Sequence, residues 1–410
     1  MVTDAGIGSA IAIIRSLGRK GWRVIAADCD PHSPGFHSRY AQEQLLYPPP
    51  ETSPRECVTT LFQAAIEKGV SLIIPVTDPI ILPLSEGRTR FDGVCKLALP
   101  DAAALDVVTN KLKTLQLAER LGVPAPLTCP VYTMEDALEH GQRLGWPVVL
   151  KPQESKQYCK QKEIQSFEVS YADNPHQLAQ QMQIFEGRCQ VLLQEYYQGT
   201  GYGVELLMYE GRALAAFQHK RLREVPINGG ASAFRQSMPL DPTLYSHAVR
   251  LLKELNWTGL AMVEFKVGKD GPKLMEINGR VWGSLPLAVH CGMDFPARLA
   301  ELCLYGPPGP EAAPDTSYVV GTRTSNLYLE MVWVAQVLFG RRRYPFLPMP
   351  SRYHALKALV QLLNPAYKFD ILSLEDPYPG VKDLFKSISR FVDKMKQEKT
   401  CETQLAHGHR

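Results

Sequence analysis

The first hundred residues alternate short apolar runs with amphipathic segments. The apolar runs at 23–27 and 72–76 predict buried strands, and the amphipathic segments at 8–17 and 55–68 predict helices. Continuous apolar strands separated by helices are typical of a parallel sheet that is covered on both faces. We therefore predict a Rossmann-like α/β domain over residues 1–105.

The strand that should open this domain is unusually short. Only Val2 and Thr3 stand ahead of the glycine turn and its flanking residues. A translation start upstream of Met1 is one explanation, and the sequence leaves open whether the true amino terminus lies there.

From about residue 106 the pattern changes to long helices and short strands joined by glycine turns. A helix is predicted from Asn110 to Leu121, and the run from Gly199 to Gly203 reads as a tight connection. Such a mixture is typical of an α+β unit, which we place at residues 106–305. Its predicted strands lie at 146–150, 190–196, 204–209, 212–218 and 260–279.

A proline-rich segment after Tyr305 marks the predicted end of this unit. Residues 306–310 consist of three prolines and two glycines, a composition that is common at domain boundaries. Beyond it we predict a mostly helical extension at 306–393 and a disordered polar tail at 394–410.

The strongest chemical signal lies in the predicted hairpin at 260–280. Polar and apolar residues alternate on both sides of its glycine-bounded turn, so alternate side chains share one face. A turn centred near Asp270 places Glu264 directly opposite Glu276. Like charges that face each other across a strand pair are destabilising. A hard divalent cation would offset that repulsion, with Asn278 as a further oxygen ligand.

An exposed polar face is the second interpretation of this pattern, because antiparallel strands often have one. Arg280 favours the metal site, since it shares a face with Glu276 and Asn278. Two carboxylates, an amide and a cation are costly to bury together unless a charged ligand binds there. We therefore predict a metal site formed by Glu264, Glu276 and Asn278.

The overall composition disfavours several classes of protein. The chain has 410 residues, 45% of them hydrophobic, and a formal net charge of +3, which provides no basic field for nucleic acid. No apolar run approaches the ~20 residues of a membrane span. The nine cysteines form no CxxC pair, as expected of reduced thiols. We expect a cytoplasmic protein without nucleic-acid partner or membrane span, and a homodimer stays open.

The first glycine turn half-matches the dinucleotide-binding fingerprint. Gly6 and Gly8 are followed by Asp28 about twenty residues further on, but Ile11 stands where the third glycine belongs. An NAD(P)-binding enzyme is therefore a less favoured alternative. The same helix amino terminus could hold a substrate carboxylate or phosphate. Asp78 follows a later strand of this domain, where ligands of parallel sheets bind.

Several motifs, taken in order, resemble the ATP-grasp superfamily, in particular its carboxylate–amine ligase-like members of the carbamoyl-phosphate synthase and biotin carboxylase type. Each motif alone is weak evidence for the family, but the ordered set is specific. It covers about residues 1–305. The resemblance implies a Rossmann-like domain and two α+β lobes, about 106–193 and 194–305, that hold ATP between them. The matching segments are Asn110-Lys111, Pro147 to Pro152, Gln194 to Tyr197 with Gly199, Val263 to Phe265, and Glu276 to Arg280.

The resemblance implies the residues that bind the nucleotide. Lys111 and Lys151 match the lysines that contact its phosphates, a role that suits a compact ammonium group. Taken alone, Lys111 would instead be interpreted as a helix-surface lysine. Glu205 matches a polar wall of the nucleotide pocket. The hinge whose backbone hydrogen-bonds adenine would be formed by Gln194, Glu195, Tyr196 and Tyr197.

The resemblance assigns the hairpin the role that strand register already predicts. Glu264, Glu276 and Asn278 match magnesium ligands, with Mn²⁺ as an alternative ion. Arg280 matches the arginine that faces the transferred phosphoryl group or the acyl phosphate. The implied activity is an ATP- and Mg²⁺-dependent ligase. In it, a small-molecule carboxylate attacks the γ-phosphate, and an amine then displaces phosphate.

A basic run from His219 to Arg223, followed by a glycine loop, is predicted to face phosphate or carboxylate, with Arg221 as a candidate catalytic residue. A solvated charge run at a turn is the alternative. One departure from the family concerns the lid, because the segment 153–160 contains no glycine. A nucleotide-binding or regulatory module with weak catalysis therefore remains a second hypothesis.

Overall fold

The computed structural model describes residues 1–153, 156–158, 164–166, 169–185, 188–340 and 344–390. The predicted tail at 394–410 and half of the glycine-free segment at 153–160 lie outside the described residues. Within the described ranges, no helix is long and apolar enough to cross a membrane. The seven cysteines described there are free thiols.

Parallel strands separated by helices form the first hundred residues. The elements are α1 (Gly8–Arg19), β1 (Ile25–Asp28), β2 (Glu43–Leu46), α2 (Pro54–Glu67), β3 (Leu72–Ile73), α3 (Asp78–Glu86) and β4 (Lys96–Leu97). Strand β1 pairs in parallel with β2, and β3 with β4. Val2 forms parallel bridges to Ala26 and Ile74 and so links the two pairs. The predicted parallel pairing is observed, while the Rossmann-like assignment stays a prediction.

A four-stranded antiparallel sheet follows. Its region contains α4 (Ala102–Thr109), α5 (Lys111–Arg120), β5 (Thr128–Val131), α6 (Met134–Leu144), β6 (Val148–Pro152), β7 (Lys156–Tyr158), β8 (Ile164–Ser166), β9 (Ser170–Ala172), α7 (Pro175–Phe185) and β10 (Val191–Glu195). The strand order is β5-β10-β6-β9, and β7 pairs only with β8. Helix α5 begins as predicted, because the side chain of Asn110 accepts a hydrogen bond of 3.1 Å from the backbone N–H of Lys113.

The largest sheet has seven strands in the order β15-β14-β11-β12-β13-β16-β17. All pairs are antiparallel except β16–β17. Val263 and Phe265 pack into the main hydrophobic core, so strand alternation directs Glu264 to the opposite face. The elements are β11 (Thr200–Tyr209), β12 (Arg212–Val225), β13 (Ala231–Ser237), α8 (Pro242–Glu254), β14 (Gly259–Gly268), β15 (Gly271–Asn278), α9 (Leu285–His290), α10 (Phe295–Tyr305), β16 (Arg323–Ser325), α11 (Leu327–Phe339), α12 (Arg352–Gln361) and β17 (Lys368–Phe369).

Two segments that the sequence placed in connections belong to strands. The glycine-rich run predicted as a tight connection is the start of β11, which begins at Thr200. Strand β12 continues beyond the predicted end at Gln218 as far as Val225. Charged residues after Gln218 are typical of a loop. They are compatible with a strand here because Arg221 and Arg223 form ion pairs with other elements.

The extension after residue 305 contains short strands besides its helices, and the prediction of a mostly helical extension stays a prediction. Strands β16 and β17 complete the seven-stranded sheet. Beyond them, the buried Asp376 accepts a hydrogen bond of 2.9 Å from Nε of Arg15 in α1. Residues 377–390 are helical. The extension therefore ties the large sheet to the first hundred residues, and the domain limits at 305 and 393 stay predictions.

We expect Arg15→Met to lower the free energy of unfolding by about 3–5 kcal/mol, because it leaves the buried carboxylate of Asp376 unpaired. The double variant R15M/D376L should recover most of the loss. Arg19→Met is a matched control on the same helix, since Arg19 forms a half-exposed pair with Glu375 and should cost less than about 1 kcal/mol. Urea unfolding measures all three. Equal losses for Arg15→Met and Arg19→Met would contradict a structural role for the buried pair.

Candidate functional site

Most of the predicted site residues line one cavity of about 610 Å³. Its walls come from the first hundred residues, from both antiparallel sheets and from the start of α11. The predicted residues that line it are Lys111, Lys151, Gln194, Glu195, Tyr196, Tyr197, Arg221, Glu264, Glu276, Asn278 and Arg280.

The hairpin β14–β15 brings two carboxylates face to face. The pair Gly268–Gly271 closes its turn, and a regular ladder from that turn would place Met275 opposite Glu264. A β-bulge next to Glu264 shifts the register by one residue, so Glu264 pairs with Glu276 instead. The predicted pairing is observed, but the bulge produces it rather than the turn alone.

Asn278 connects the two carboxylates. Its Nδ2 donates hydrogen bonds of 2.9 Å to Oε1 of Glu264 and 3.4 Å to Oε1 of Glu276. The three residues that the sequence proposed as metal ligands therefore form one cluster on the cavity wall.

Arg221 reaches this cluster from two strands away. The intervening strand β11 presents Gly201 on the cavity wall. A Cβ atom on Gly201 would lie only 3.0 Å from Cδ of Arg221. Because Gly201 lacks a side chain, the guanidinium crosses β11 and forms an ion pair with Glu264. Gly203, which pairs with Glu264, leaves room for His219 instead, since a Cβ there would lie 2.5 Å from Cε1 of that ring.

The two carboxylates titrate differently. Burial raises the pKa of Glu264 to about 7, Arg221 opposes the increase, and Glu276 adds to it. Burial also disfavours the ionised form of Glu276, but the cations around it, with Lys111 and Lys151 foremost, hold its pKa below the usual value. A further cation beside the cluster would favour the ionised form of both carboxylates.

This donor set fits Mg²⁺. That ion takes one or two protein carboxylates and completes its octahedron with water and phosphate oxygens. Asn278 would have to turn its amide so that the oxygen faces the ion, a rotation that changes no heavy-atom position appreciably. In the described part of the chain, no three His, Cys, Asp or Glu side chains form a metal site by themselves. A metal here would therefore depend on the amide and on oxygens of the substrate.

Lys111, at the start of α5, and Lys151, in β6 of the four-stranded sheet, line the same cavity as the carboxylates. The backbone N–H of Lys111 donates a hydrogen bond of 2.9 Å to the carbonyl of Gln153, which holds the start of α5 against the end of β6. Burial lowers the pKa of Lys151 to about 8, and Glu276 partly opposes this decrease. The two predicted phosphate-binding cations thus lie beside the candidate metal ligands.

The predicted hinge lies at the end of β10 and leads into β11. The hydroxyl of Tyr197 donates a hydrogen bond of 2.6 Å to the carbonyl of Gly271. Glu195 forms an ion pair with Lys273. Both contacts tie the hinge to the hairpin that carries the carboxylates.

Arg280 joins the site to the first hundred residues. Its Nε donates a hydrogen bond of 2.9 Å to Oδ2 of Asp78, and both side chains remain partly exposed to the cavity. Asp78, at the start of α3, was a sequence candidate because it follows a parallel strand. The structure brings these two independently chosen residues together.

Glu205 does not lie where the sequence placed it. It is fully buried, is absent from the cavity wall, and forms a hydrogen bond with His219. Burial raises the pKa of Glu205 well above its usual value and lowers that of His219 well below its own. Burial thus favours the uncharged form of both side chains. Alternation gives the correct face of β11, but it cannot tell where along the strand the cavity ends.

Arg223 does not line the cavity, although the sequence predicted that the basic run from His219 to Arg223 faces phosphate or carboxylate. In the pairing of β12 with β13, Arg221 faces Arg235 and Arg223 faces Phe234, so Leu222 forms a bulge. The bulge turns Arg223 to the face opposite Arg221, where it pairs with Glu330.

The first glycine turn is closed by its own aspartate. The N–H of Gly6 donates a hydrogen bond of 2.6 Å to Oδ2 of Asp28, and the hydroxyl of Ser33 donates one of 3.0 Å to the same oxygen. A Cβ on Gly8 would lie 3.3 Å from Cβ of Asp370. Asp28 is thereby used within the turn, which speaks against the nicotinamide alternative.

Several cavity residues were missed from the sequence. Lys266 could have been found, because it lies two residues after Glu264 and shares its face. Glu224 and Arg235 had no such signal, because they reach the cavity through the pairing of β12 with β13, a feature of tertiary structure. Ser232, by contrast, ends the glycine loop at 226–232 that the sequence predicted to face phosphate or carboxylate.

A family model matches residues 188–325, and it is described as "ATP-grasp in the biosynthetic pathway with Ter operon". The match contains the hinge, Arg221 and the entire β14–β15 hairpin. It ends at β16, beyond the predicted boundary at 305.

Further similarities extend over more of the chain. The carbamoyl phosphate synthase large chain of Xylella fastidiosa is 22% identical over 303 residues, which are 71% of this chain and 27% of that protein. The chain thus spans about a quarter of that relative.

Two solved structures share the fold at low sequence identity. One is the biotin carboxylase domain of 2-oxoglutarate carboxylase from Hydrogenobacter thermophilus, in complex with MgADP, ADP and bicarbonate. Its TM-score is 0.61 at 17% identity, over 78% of this chain and 72% of that one. The other is L-amino acid ligase from Bacillus licheniformis, with a TM-score of 0.57 at 14% identity over 74% and 73%. Residues 188–325 thus match an ATP-grasp family model, and the fold of about three quarters of the chain is similar to that of these two structures.

Proposed function

We propose that this protein is an ATP- and Mg²⁺-dependent ligase that joins a small-molecule carboxylate to an amine through an acyl phosphate. The convergence of the Glu264–Glu276–Asn278 cluster with the lysines and arginines of one cavity carries this proposal. The match to the ATP-grasp family model supports it, as do fold neighbours whose names describe a carboxylase solved with MgADP and an amino acid ligase.

The nucleotide would bind between the four-stranded sheet and the hairpin. The backbone of the hinge at 194–197 would hydrogen-bond the adenine. Lys111 and Lys151 would contact phosphate oxygens, and their ammonium groups would neutralise charge that the buried site could not otherwise hold. Glu264, Glu276 and Asn278 would hold Mg²⁺, with Mn²⁺ as an alternative. When bound, the ion would offset charge on the phosphoryl oxygens.

The reaction needs positioning and charge neutralisation rather than a side-chain nucleophile. An oxygen of the substrate carboxylate attacks the γ-phosphorus, and the bond to the β–γ bridging oxygen breaks to release ADP. The amine nitrogen then attacks the acyl carbon, phosphate leaves with the carboxyl oxygen, and the nitrogen loses a proton. Arg280, held by Asp78, would stabilise the transferred phosphoryl group. Arg221 would do the same from the opposite wall.

Several broader features belong to this proposal. Residues 1–105 would form a Rossmann-like domain that supplies the acid end of the cavity through Asp78. The extension from 306 would contribute the start of α11 to the same cavity. A cytoplasmic location, small-molecule partners and a homodimer are carried forward as predictions.

A second candidate is an ATP-binding module with weak catalysis. The glycine-free segment 153–160 favours it, because backbone N–H groups of glycine-rich loops commonly cradle phosphates. The two candidates differ in one measurable respect. A ligase releases phosphate from ATP when its acid and amine are present, whereas the module binds ATP without releasing phosphate.

We expect Glu276→Gln to lower ATP-dependent phosphate release by roughly a hundredfold or more, because the remaining carboxylate cannot hold the metal alone. Asp270→Asn, in the exposed turn of the same hairpin, is the matched control and should behave like the wild type. Release is measured colorimetrically over a panel of amino acids and small acids. Unchanged release by Glu276→Gln would contradict the proposed metal site.

We expect the affinity for ATP to fall as the pH rises above about 8, because Lys151 loses its proton there in the free protein. Bound phosphates favour the charged ammonium, so binding takes up a proton in this range and weakens by up to about tenfold per pH unit. Arg at this position stays charged, so Lys151→Arg should remove this dependence. Titration with a fluorescent ATP analogue between pH 7 and 9.5 measures it. A parallel decline in both proteins would assign the effect to another group.

A further inference from the structure

Arg235 occupies an unusual position on the cavity wall. It lies on β13 directly opposite Arg221 on β12, and both residues line the cavity. Like charges at facing ladder positions repel each other. Arg221 is neutralised by Glu264 and Glu224, whereas Arg235 turns to a different partner.

The hydrogen bonds of Arg235 leave one of its three nitrogens, Nε, without a partner among the described residues. Its Nη1 donates a bond of 2.9 Å to the carbonyl of Ser232, and its Nη2 forms an ion pair with Asp370. The side chain is only 1% exposed, yet its Nε has no hydrogen-bond partner among the described residues, and neither has the hydroxyl of Ser232. Two buried polar groups on one stretch of cavity wall are therefore unsatisfied.

A purely structural ion pair explains this arrangement poorly. Arginine–carboxylate pairs that serve stability commonly use two parallel hydrogen bonds. Here Asp370 engages only Nη2 through one oxygen, a backbone carbonyl holds Nη1, and both Nε of Arg235 and Oδ2 of Asp370 have no partner among the described residues. A buried donor without a partner costs about 1–3 kcal/mol, which a ligand would offset.

The position of Arg235 separates it from the nucleotide phosphates. The sheet order places three strand spacings between β14, which carries Glu264, and β13, or about 14 Å between backbones. Arg221 bridges back toward Glu264, but Arg235 points to Asp370 on the other side. The cavity near this end is also lined by Asn326 and Leu329 of α11.

We propose that Arg235 and Ser232 form a subsite for a substrate carboxylate other than the one that is activated. This proposal rests on the proposed ligase function and narrows its substrates. The extra carboxylate has two sources, an amino acid that serves as the amine or a dicarboxylic acid that serves as the acid. In either case, Nε of Arg235 and the hydroxyl of Ser232 donate to its oxygens, and Asp370 keeps the guanidinium oriented.

Two variants remove the subsite in different ways. R235M/D370L removes the ion pair as a unit, so no buried charge is left alone. Ser232→Ala removes only one hydroxyl and preserves the backbone carbonyl that holds Arg235. R223M/E330L is the matched control, because it removes a buried pair of the same type from the opposite face of the sheet.

Phosphate release is measured with the 20 L-amino acids, succinate and glutarate as candidate acids and with the amino acids as candidate amines. The amide of each carboxylate is tested in parallel. For the active carboxylate-bearing substrate, we expect KM to rise roughly 10–100-fold in R235M/D370L and about 2–10-fold in Ser232→Ala. The KM for ATP should not change, and R223M/E330L should resemble the wild type. If the amino acid amides fail as the amine, the extra carboxylate belongs to the amino acid that serves as the amine. If the monoamides of succinate and glutarate fail as the acid, the extra carboxylate belongs to a dicarboxylic acid.

Three results would overturn the proposal: an equal rise in the KM for ATP, amides that serve as well as carboxylates, or variants with an unchanged KM. If the wild type binds ATP but releases no phosphate, the ligase function fails and the subsite is tested by binding alone. The same acids and amides are then compared by the shift that each causes in the melting temperature, in the presence of a non-hydrolysable ATP analogue. Stabilisation by an acid but not its amide, lost in R235M/D370L, supports the subsite. No stabilisation by any acid rejects it.

Discussion

The mutual repulsion of Glu264 and Glu276 is the constraint around which the site is arranged. The ladder holds the two carboxylates at facing positions, and burial raises the cost of their charge. Three cations from three elements offset this cost: Arg221 from β12, Lys111 from α5 and Lys151 from β6. The four-stranded and seven-stranded sheets therefore contribute opposite charges to the same cavity.

A small residue makes this neutralisation sterically feasible. A guanidinium on β12 cannot reach β14 over an ordinary strand, because side chains on the intervening strand would fill the space. Gly201 leaves that space open. Glycine in the interior of a strand costs conformational entropy, and the arginine contact that crosses Gly201 is a physical reason for glycine at this position.

The extension after residue 305 has a comparable role at the other end of the cavity. Asp370, directly after β17, orients Arg235, and Asp376 pairs with Arg15 of α1. Both aspartates are buried, so their partners are held firmly. A segment predicted as a separate helical unit thus positions a cavity arginine and fastens the large sheet to the first hundred residues.

The sequence by itself determined which residues could share a face and where helices begin, because alternation and capping depend on neighbours along the chain. For this reason the facing carboxylates and the start of α5 at Lys111 were found correctly. The hinge at 194–197 was implied by the resemblance to the ATP-grasp superfamily and stays a prediction. Tertiary structure decided the rest. The bulges beside Glu264 and at Leu222, the depth of Glu205, and the neighbours of Arg235 depend on pairing between strands distant in sequence. Strand order and bulges arise from packing of the entire sheet, which no local pattern encodes.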